Sequence, residues 1–279
     1  MKILIDIGHP AHVHLFKNFA RVMTGKGNQV LFTLRQKEFS EQLLKEYGFE
    51  YIRYGTSFSG VAGKLWGLLK FNTSLFKIVR GFKPDITLSH SSFYLAQVSR
   101  LLGVENITLE DTGNMEQIAL YRPFTKCILS PDCYTRKHGQ KHLFYKGYHE
   151  LAYLHPNSFT PNKQIFNELG VKNDEPFVIL RFISWDASHD INHKGLSIKN
   201  KILAVENFSK YARVFISSQM ELPVELQSYK IPVAPDKIHD AMAFSKMVWG
   251  ESATMATESG CLAFRLFILI IQVGIILMS

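Results

Sequence analysis

The chain has 279 residues, of which 46% are hydrophobic and 20% charged, and it carries a net charge of +8. So much apolar content with so modest a charge imbalance excludes a disordered polymer, and the length predicts two domains rather than one. Lys and Arg are scattered (Lys37, Lys45, Lys64, Lys70, Lys77, Arg80, Lys83) and accompany no zinc-finger, RNP or helix-turn-helix signature, which leaves no nucleic-acid partner and keeps open a solvated basic surface, an anionic membrane face or an anionic ligand.

The first ten residues, MKILIDIGHP, read as a strand and not as a signal peptide, because an acidic residue interrupts the apolar run after five positions. Lys2 to Ile7 predicts a buried strand, and His12 to Gly25, with Val13, Phe16, Ala20 and Met23 on one stripe, a helix packed on a sheet. A strand at Gln29 to Leu34, a helix at Glu38 to Tyr47 and a strand at Tyr51 to Tyr54 follow. Gly55 to Gly63 reads as a Gly/Ser loop, Lys64 to Arg80 as a long basic helix, Asp85 to His90 as a strand, Phe93 to Leu102 as a helix and Asn106 to Glu110 as a strand. Cys127 to Ser130 and His142 to Tyr145 are the last strands of this half.

Tyr148 to Pro161, rich in Pro, His and Asn, breaks the rhythm and marks a domain boundary. The pattern restarts with a helix at Gln164 to Leu169, a strand at Phe177 to Phe182, a helix at Lys199 to Phe208 and a strand at Val214 to Ser217. Ile231 to Ala234, a helix at Lys237 to Phe244, a strand at Met247 to Trp249 and a helix from about Thr254 continue it. The expected architecture is α/β, two Rossmann-like doubly wound parallel-sheet domains. We place the N-terminal domain at residues 1–150, a linker at 151–175 and a C-terminal domain at 176–262. Cys127, Cys133 and Cys261 show no CxxC spacing, which argues against a disulfide framework or a zinc site and fits a reducing cytoplasm.

Ligands of such sheets bind at the carboxyl ends of strands, so four loops matter. Gly8-His9-Pro10-Ala11-His12-Val13-His14 combines a glycine for close backbone approach, the start of a helix and three histidines. It reads as a polar ligand site or as ordinary capping and packing histidines, and without a neighbouring carboxylate in the loop it predicts no metal. Trp249 to Glu258 follows a strand and opens a helix. The N–H groups of Ser252, Ala253 and Thr254, after Gly250, suit an anion, and Glu258 suits two ribose hydroxyls, the other reading being a plain N-capped helix. Arg181 to Asp190 offers Arg181 for a phosphate and His189 with Asp190 as an acid–base pair, or a polar turn. Glu110 to Glu116 offers carboxylates as general base or sugar ligands, or an acidic helix start.

Taken jointly, MKILIDIGHPAHVH, KPDI, EDT, YKGYHELAYL, RFxSWxAxHD and GESATMATE resemble domain-of-unknown-function family 354, from Met1 to about Leu262. The resemblance implies the glycosyltransferase-B fold, shared with the undecaprenyl-linked muramyl-peptide N-acetylglucosaminyltransferase and the non-hydrolysing UDP-N-acetylglucosamine 2-epimerase. It implies that Ser252, Ala253, Thr254 and Glu258 hold the diphosphate and ribose of a UDP-sugar, and that the Gly8 loop meets the acceptor or sugar end. The epimerases carry a catalytic aspartate in a Gly-Asp-Thr setting where this chain has His90-Ser91-Ser92-Phe93. Glycosyl transfer therefore leads, with 2-epimerisation or a non-catalytic remnant as alternatives. The implied mechanism uses Arg181 and a helix dipole on the leaving diphosphate and His9, His14 or Asp111 as base, with no metal and no cofactor. The implied partners are the UDP-sugar donor and a saccharide or lipid-linked acceptor of surface polysaccharide or glycoconjugate synthesis, which puts the protein in the cytoplasm or against the inner membrane face.

Residues 263–279 are almost wholly apolar apart from Arg265, Gln272 and Gly274, and the uninterrupted run is shorter than the roughly 20 residues of a membrane span. Related proteins continue with Gly-x-Pro and a strand, and Ala263 to Ile268 read one base out of phase can give Gly-Phe-Pro-Ala-Ile-Tyr. We therefore read this tail as a frameshift near Ala263 that leaves the second domain incomplete and without its last strand.

Overall fold

The computed structural model describes residues 1–35, 38–55, 61–173, 175–182, 196–218, 221–262 and 266–268. The chain packs as two units, one of Met1–Tyr153 and one beginning at Leu154. In the first unit the order is β1 (Lys2–Ile7), α1 (Pro10–Gly25), β2 (Gln29–Arg35), α2 (Glu38–Glu46), β3 (Tyr51–Gly55), α3 (Val61–Phe82), β4 (Ile86–His90), α4 (Phe93–Leu101), β5 (Glu105–Leu109), α5 (Met115–Tyr121), β6 (Cys127–Pro131) and β7 (His142–Tyr145). The strands form one parallel sheet in the order β3-β2-β1-β4-β5-β6-β7. The chain thus reverses direction of travel at β1 and β4, the switch point where a doubly wound sheet leaves a crevice.

Strand β1 explains why both faces are covered. Ile3, Ile5 and Ile7 join a core with Val13, Phe16, Phe32 and Leu34 on one side, while Leu4 joins Tyr54, Phe71, Leu75 and Leu95 on the other. A strand buried on two faces is apolar throughout instead of alternating, and each buried Ile contributes about 1.5–3 kcal/mol. Helix α1 begins at Pro10, two residues before the expected start at His12. Proline suits the first helical position, and the His9 ring accepts from the Ala11 N–H at 3.2 Å as cap. Helix α3 begins at Val61, inside the expected Gly/Ser loop.

A short helix α6 (Leu151–Leu154) spans the passage between the units. The second unit holds α7 (Ile165–Leu169), β8 (Phe177–Phe182), α8 (Ile198–Phe208), β9 (Arg213–Ser218), α9 (Ile238–Phe244), β10 (Met247–Gly250), α10 (Ala253–Cys261) and β11 (Leu266–Ile268). Its sheet is parallel, in the order β11-β10-β8-β9. Phe177 and Ile179 face one core and Val178, Leu180 and Phe182 another. The element expected at Ile231 to Ala234 is only a bridge from Lys230 to Ile216, flanked by 3-10 segments at Val224–Tyr229 and Pro235–Lys237, because Pro232 and Pro235 lack the N–H a ladder needs. Leu266–Ile268 pairs with Val248–Gly250 as an edge strand, and the rest of the 263–279 tail lies outside the described residues. Among the described residues no helix is long and apolar enough to cross a membrane.

Candidate functional site

In the first unit the carboxyl ends of β1, β4 and β5 bring polar groups together. Register places Asp6 beside Thr33 and Ser89, and His90 beside Leu109, so the residues after these strands emerge side by side. Buried Asp6 accepts from Thr33 Oγ1 at 2.9 Å, Tyr54 Oη at 3.2 Å and Ser92 Oγ at 2.5 Å. Ser92 in turn caps α4. Ser91 takes a left-handed backbone with φ of 54°, a conformation that non-glycine residues adopt only under constraint. The constraint is visible, since Ser91 Oγ donates to Glu110 Oε2 at 2.6 Å and its carbonyl accepts from Gln117 Nε2 at 2.8 Å.

Glu110 is fully buried and holds the loop after β5. It accepts from Tyr121 Oη at 2.6 Å, the Thr112 N–H and Oγ1 at 2.7 Å each, and the Gly113 N–H at 2.9 Å. That cradle turns the neighbouring Asp111 toward two imidazoles. His90 Nε2 lies 2.8 Å from Asp111 Oδ1, and His149 Nε2 lies 3.8 Å from Asp111 Oδ2. His149, supplied from beyond β7, is held at Nδ1 by the Tyr145 hydroxyl. The His12 ring packs 4.5 Å from that of His90, and its Nδ1 accepts from the Gly8 N–H at 3.2 Å.

The protonation states follow from burial and charge. Burial pushes His90 down, but the charge and hydrogen bond of Asp111, with Glu110 and Glu150 behind them, outweigh it and raise its pKa. Burial opposes ionisation of Asp111 too, yet His90 and His149 bring it down to about 2. His149 is brought down to about 4 by burial and by the nearby His90, with Asp111 opposing. Near neutral pH Asp111 is therefore ionised and His149 uncharged, while the Asp111 carboxylate favours the charged form of His90.

In the second unit the carboxyl ends of β10, β8 and β9 are likewise adjacent, with Gly250 opposite Arg181 and Arg181 opposite Ser217. Arg181 Nη1 donates to Ser217 Oγ at 2.7 Å. A Cβ at Gly250 would stand 2.1 Å from the Arg181 carbonyl oxygen, and φ there is 149°, so only glycine lets the two strand ends approach this closely. Ser252 caps α10 by accepting from the Met255 N–H at 3.3 Å. Ala253 is exposed and Thr254 half-buried in the first turn. Glu251 is tied down, accepting from the Leu196 N–H at 2.5 Å and facing Lys201 Nζ at 3.5 Å. Glu258 is 3% exposed and pairs with His239 Nε2 at 3.0 Å, while its charge also acts on Arg181.

Of the residues singled out from sequence, Gly8, His9 and Asp111 fall at the strand ends of the first unit. His14 faces the other way, buried with its ring 5.6 Å from Tyr153 and Nδ1 3.1 Å from Tyr47 Oη. Arg181, Gly250, Ser252, Ala253 and Thr254 lie at the strand ends of the second unit. Glu258 lies one turn inside α10, where His239 already occupies one of its oxygens. His189 is outside the described residues. Sequence reasoning did not single out His90, His149 or the cradle role of Glu110. The signal for His90 was its place as the last residue of a central strand, whereas His149 comes from a segment with no periodicity to read.

The chain matches, over residues 1–268, the family described as "Protein of unknown function (DUF354)". It belongs to that family. The fold is the glycosyltransferase-B fold of several solved structures. It is similar to UDP-GlcNAc 2-epimerase from Neisseria meningitidis bound to UDP-GlcNAc, at 14% identity and a TM-score of 0.70, over 98% of this chain and 84% of that one. The spinosyn rhamnosyltransferase SpnG aligns at 12% identity and a TM-score of 0.61 over 97% and 80%. MurG from Acinetobacter baumannii aligns at 15% identity and a TM-score of 0.53 over 99% and 80%. No curated protein matches the chain by sequence.

Proposed function

We propose that this member of the DUF354 family is a glycosyltransferase that takes its donor as a UDP-sugar in the second unit. The observation that carries the reading is the junction of β10 with α10. There, Gly250 brings the strand end against Arg181, and the first turn of α10 opens beside a guanidinium. A helix N-terminus with an arginine stabilises a diphosphate as it leaves, through fixed dipoles and a permanent charge. The reading draws support from solved relatives of the same fold, one of them bound to UDP-GlcNAc and another to UDP. On this reading the ionised Asp111, held beside His90, accepts a hydrogen bond from an acceptor hydroxyl and orients it, in preference to His9, which spends its ring on capping, or His14, which is packed against tyrosines.

Calorimetric titration of UDP into the full chain tests the donor site. Arg181→Ala, and Ala253→Pro at a position where proline is tolerated but the first-turn N–H is lost, should each weaken UDP at least ~10-fold. A folded wild-type chain that ignores UDP and UDP-N-acetylglucosamine would overturn the nucleotide reading.

Epimerisation is the second reading, favoured by TM-scores of 0.70 and 0.64 to the UDP-GlcNAc 2-epimerases of Neisseria meningitidis and Methanocaldococcus jannaschii and opposed by His90-Ser91-Ser92 after β4. Solvent deuterium entering C2 of the sugar would decide for it. The acceptor reading extends to an anionic membrane face, supported by the exposed Leu69 and Leu101 near Lys70, Lys77 and Arg100 on α3 and α4. Co-sedimentation with vesicles containing phosphatidylglycerol, weakened by salt, is the expected result.

A further inference from the structure

We propose that His90, Asp111 and His149 bind a first-row divalent cation of the zinc class. Two imidazoles and one carboxylate are the donor set such ions take when one or more positions stay open for an oxygen ligand. Ligand bonds of about 2.1 Å place the ligand atoms of one tetrahedral ion about 3.4 Å apart. Here the Asp111 oxygens lie 2.8 and 3.8 Å from the two Nε2 atoms, and one ligand atom from each of the three residues lies within 4.8 Å of the others.

A second observation points the same way. The His149 side chain is only 5% exposed, and its Nε2 has no hydrogen-bond partner among the described residues. Buried ring nitrogens are normally paired, and this one is aimed at the Asp111 carboxylate at a distance too long for a hydrogen bond. The surrounding groups orient all three ligands. Tyr145 bonds His149 Nδ1, leaving Nε2 as the coordinating atom, and the Glu110 cradle sets the loop that presents Asp111. His90 is the last residue of β4. Such outer contacts fix imidazole tautomer and direction in metal sites. Asp111 keeps 24% exposure, which gives the ion an entry side and a place for a water or hydroxyl oxygen. The site uses residues of the first unit alone and does not depend on the UDP reading.

The test uses the full chain stripped with EDTA and titrated with ZnCl2, with CoCl2 as spectroscopic probe. About one equivalent should bind, and Co2+ should give visible d–d bands without a thiolate charge-transfer band. His149→Ala and Asp111→Asn should lose that binding while far-UV circular dichroism stays unchanged. Tyr145→Phe, which keeps every ligand, should weaken it roughly 10-fold and serves if the ligand variants do not fold. Failure of the wild-type chain to take up Zn2+ or Co2+, uptake undiminished in His149→Ala, or a thiolate band from the cysteines would each overturn the site.

Discussion

At the scale of single residues, buried carboxylates do most to shape the candidate site. Glu110 is satisfied by a tyrosine, two hydroxyls and two backbone N–H groups, and its pKa falls although burial pushes it up, because His90 and these donors favour the charge. Glu110→Ala should therefore cost about 3 kcal/mol or more in chemical denaturation, since it strands several buried donors at once. Gly250→Ala meets both a backbone clash and a left-handed φ, and we expect a loss of at least about 2 kcal/mol, read as a lower urea midpoint. His138 and His142 stack at 5.2 Å and are both pushed down by burial. Their native pKa values lie below the 6.5 of the free imidazole, so the unfolded chain binds protons first as the pH drops. The stability they contribute is complete above about 6.5 and is lost as pH falls through that value toward the native ones. Thermal midpoints measured from pH 7.5 to 5 should decline, and the decline should be shallower in His142→Gln.

At the scale of elements, α10 and β1 show how local signals were read well and where they stopped. The run from Gly250 to Glu258 announced a strand, a cap and a helix, and Ser252 is the cap. Ser252→Ala should cost about 1 kcal/mol in a melt, the ordinary value of a lost cap. What the run did not announce is the direction of Glu258. Helical spacing puts it one turn in, but only the packing of α9 against α10 brings His239 to it. In β1 the apolar run predicted a buried strand, while the partners of Asp6 come from β2, β3 and the start of α4, which no local window contains. The bridge at Ile216 and Lys230 marks the opposite failure, an apolar stretch read as an element although its prolines forbid a ladder.

At the scale of the whole molecule, each of the two units has cores of its own. A fragment of residues 1–161 should fold cooperatively by itself, shown by a single sigmoidal urea transition and dispersed amide resonances; a broad, non-cooperative transition would refute this. The doubly wound fold class was legible in the sequence by itself, since strand and helix periodicities, glycine stops and the break near Tyr148 depend only on near neighbours along the chain. The loops that follow strands could be named for the same reason, and Asp111, Arg181 and Gly250 were among them. What only the tertiary structure decided is which of these groups meet. Strand order and register bring Asp111 to His90 and His149, 21 and 38 positions away in the chain, and set Gly250 against Arg181 across two strands. They also turn His14 away into a tyrosine-lined core. Those meetings come from side-by-side pairing of segments distant in sequence, and no local pattern of residues encodes a pairing partner.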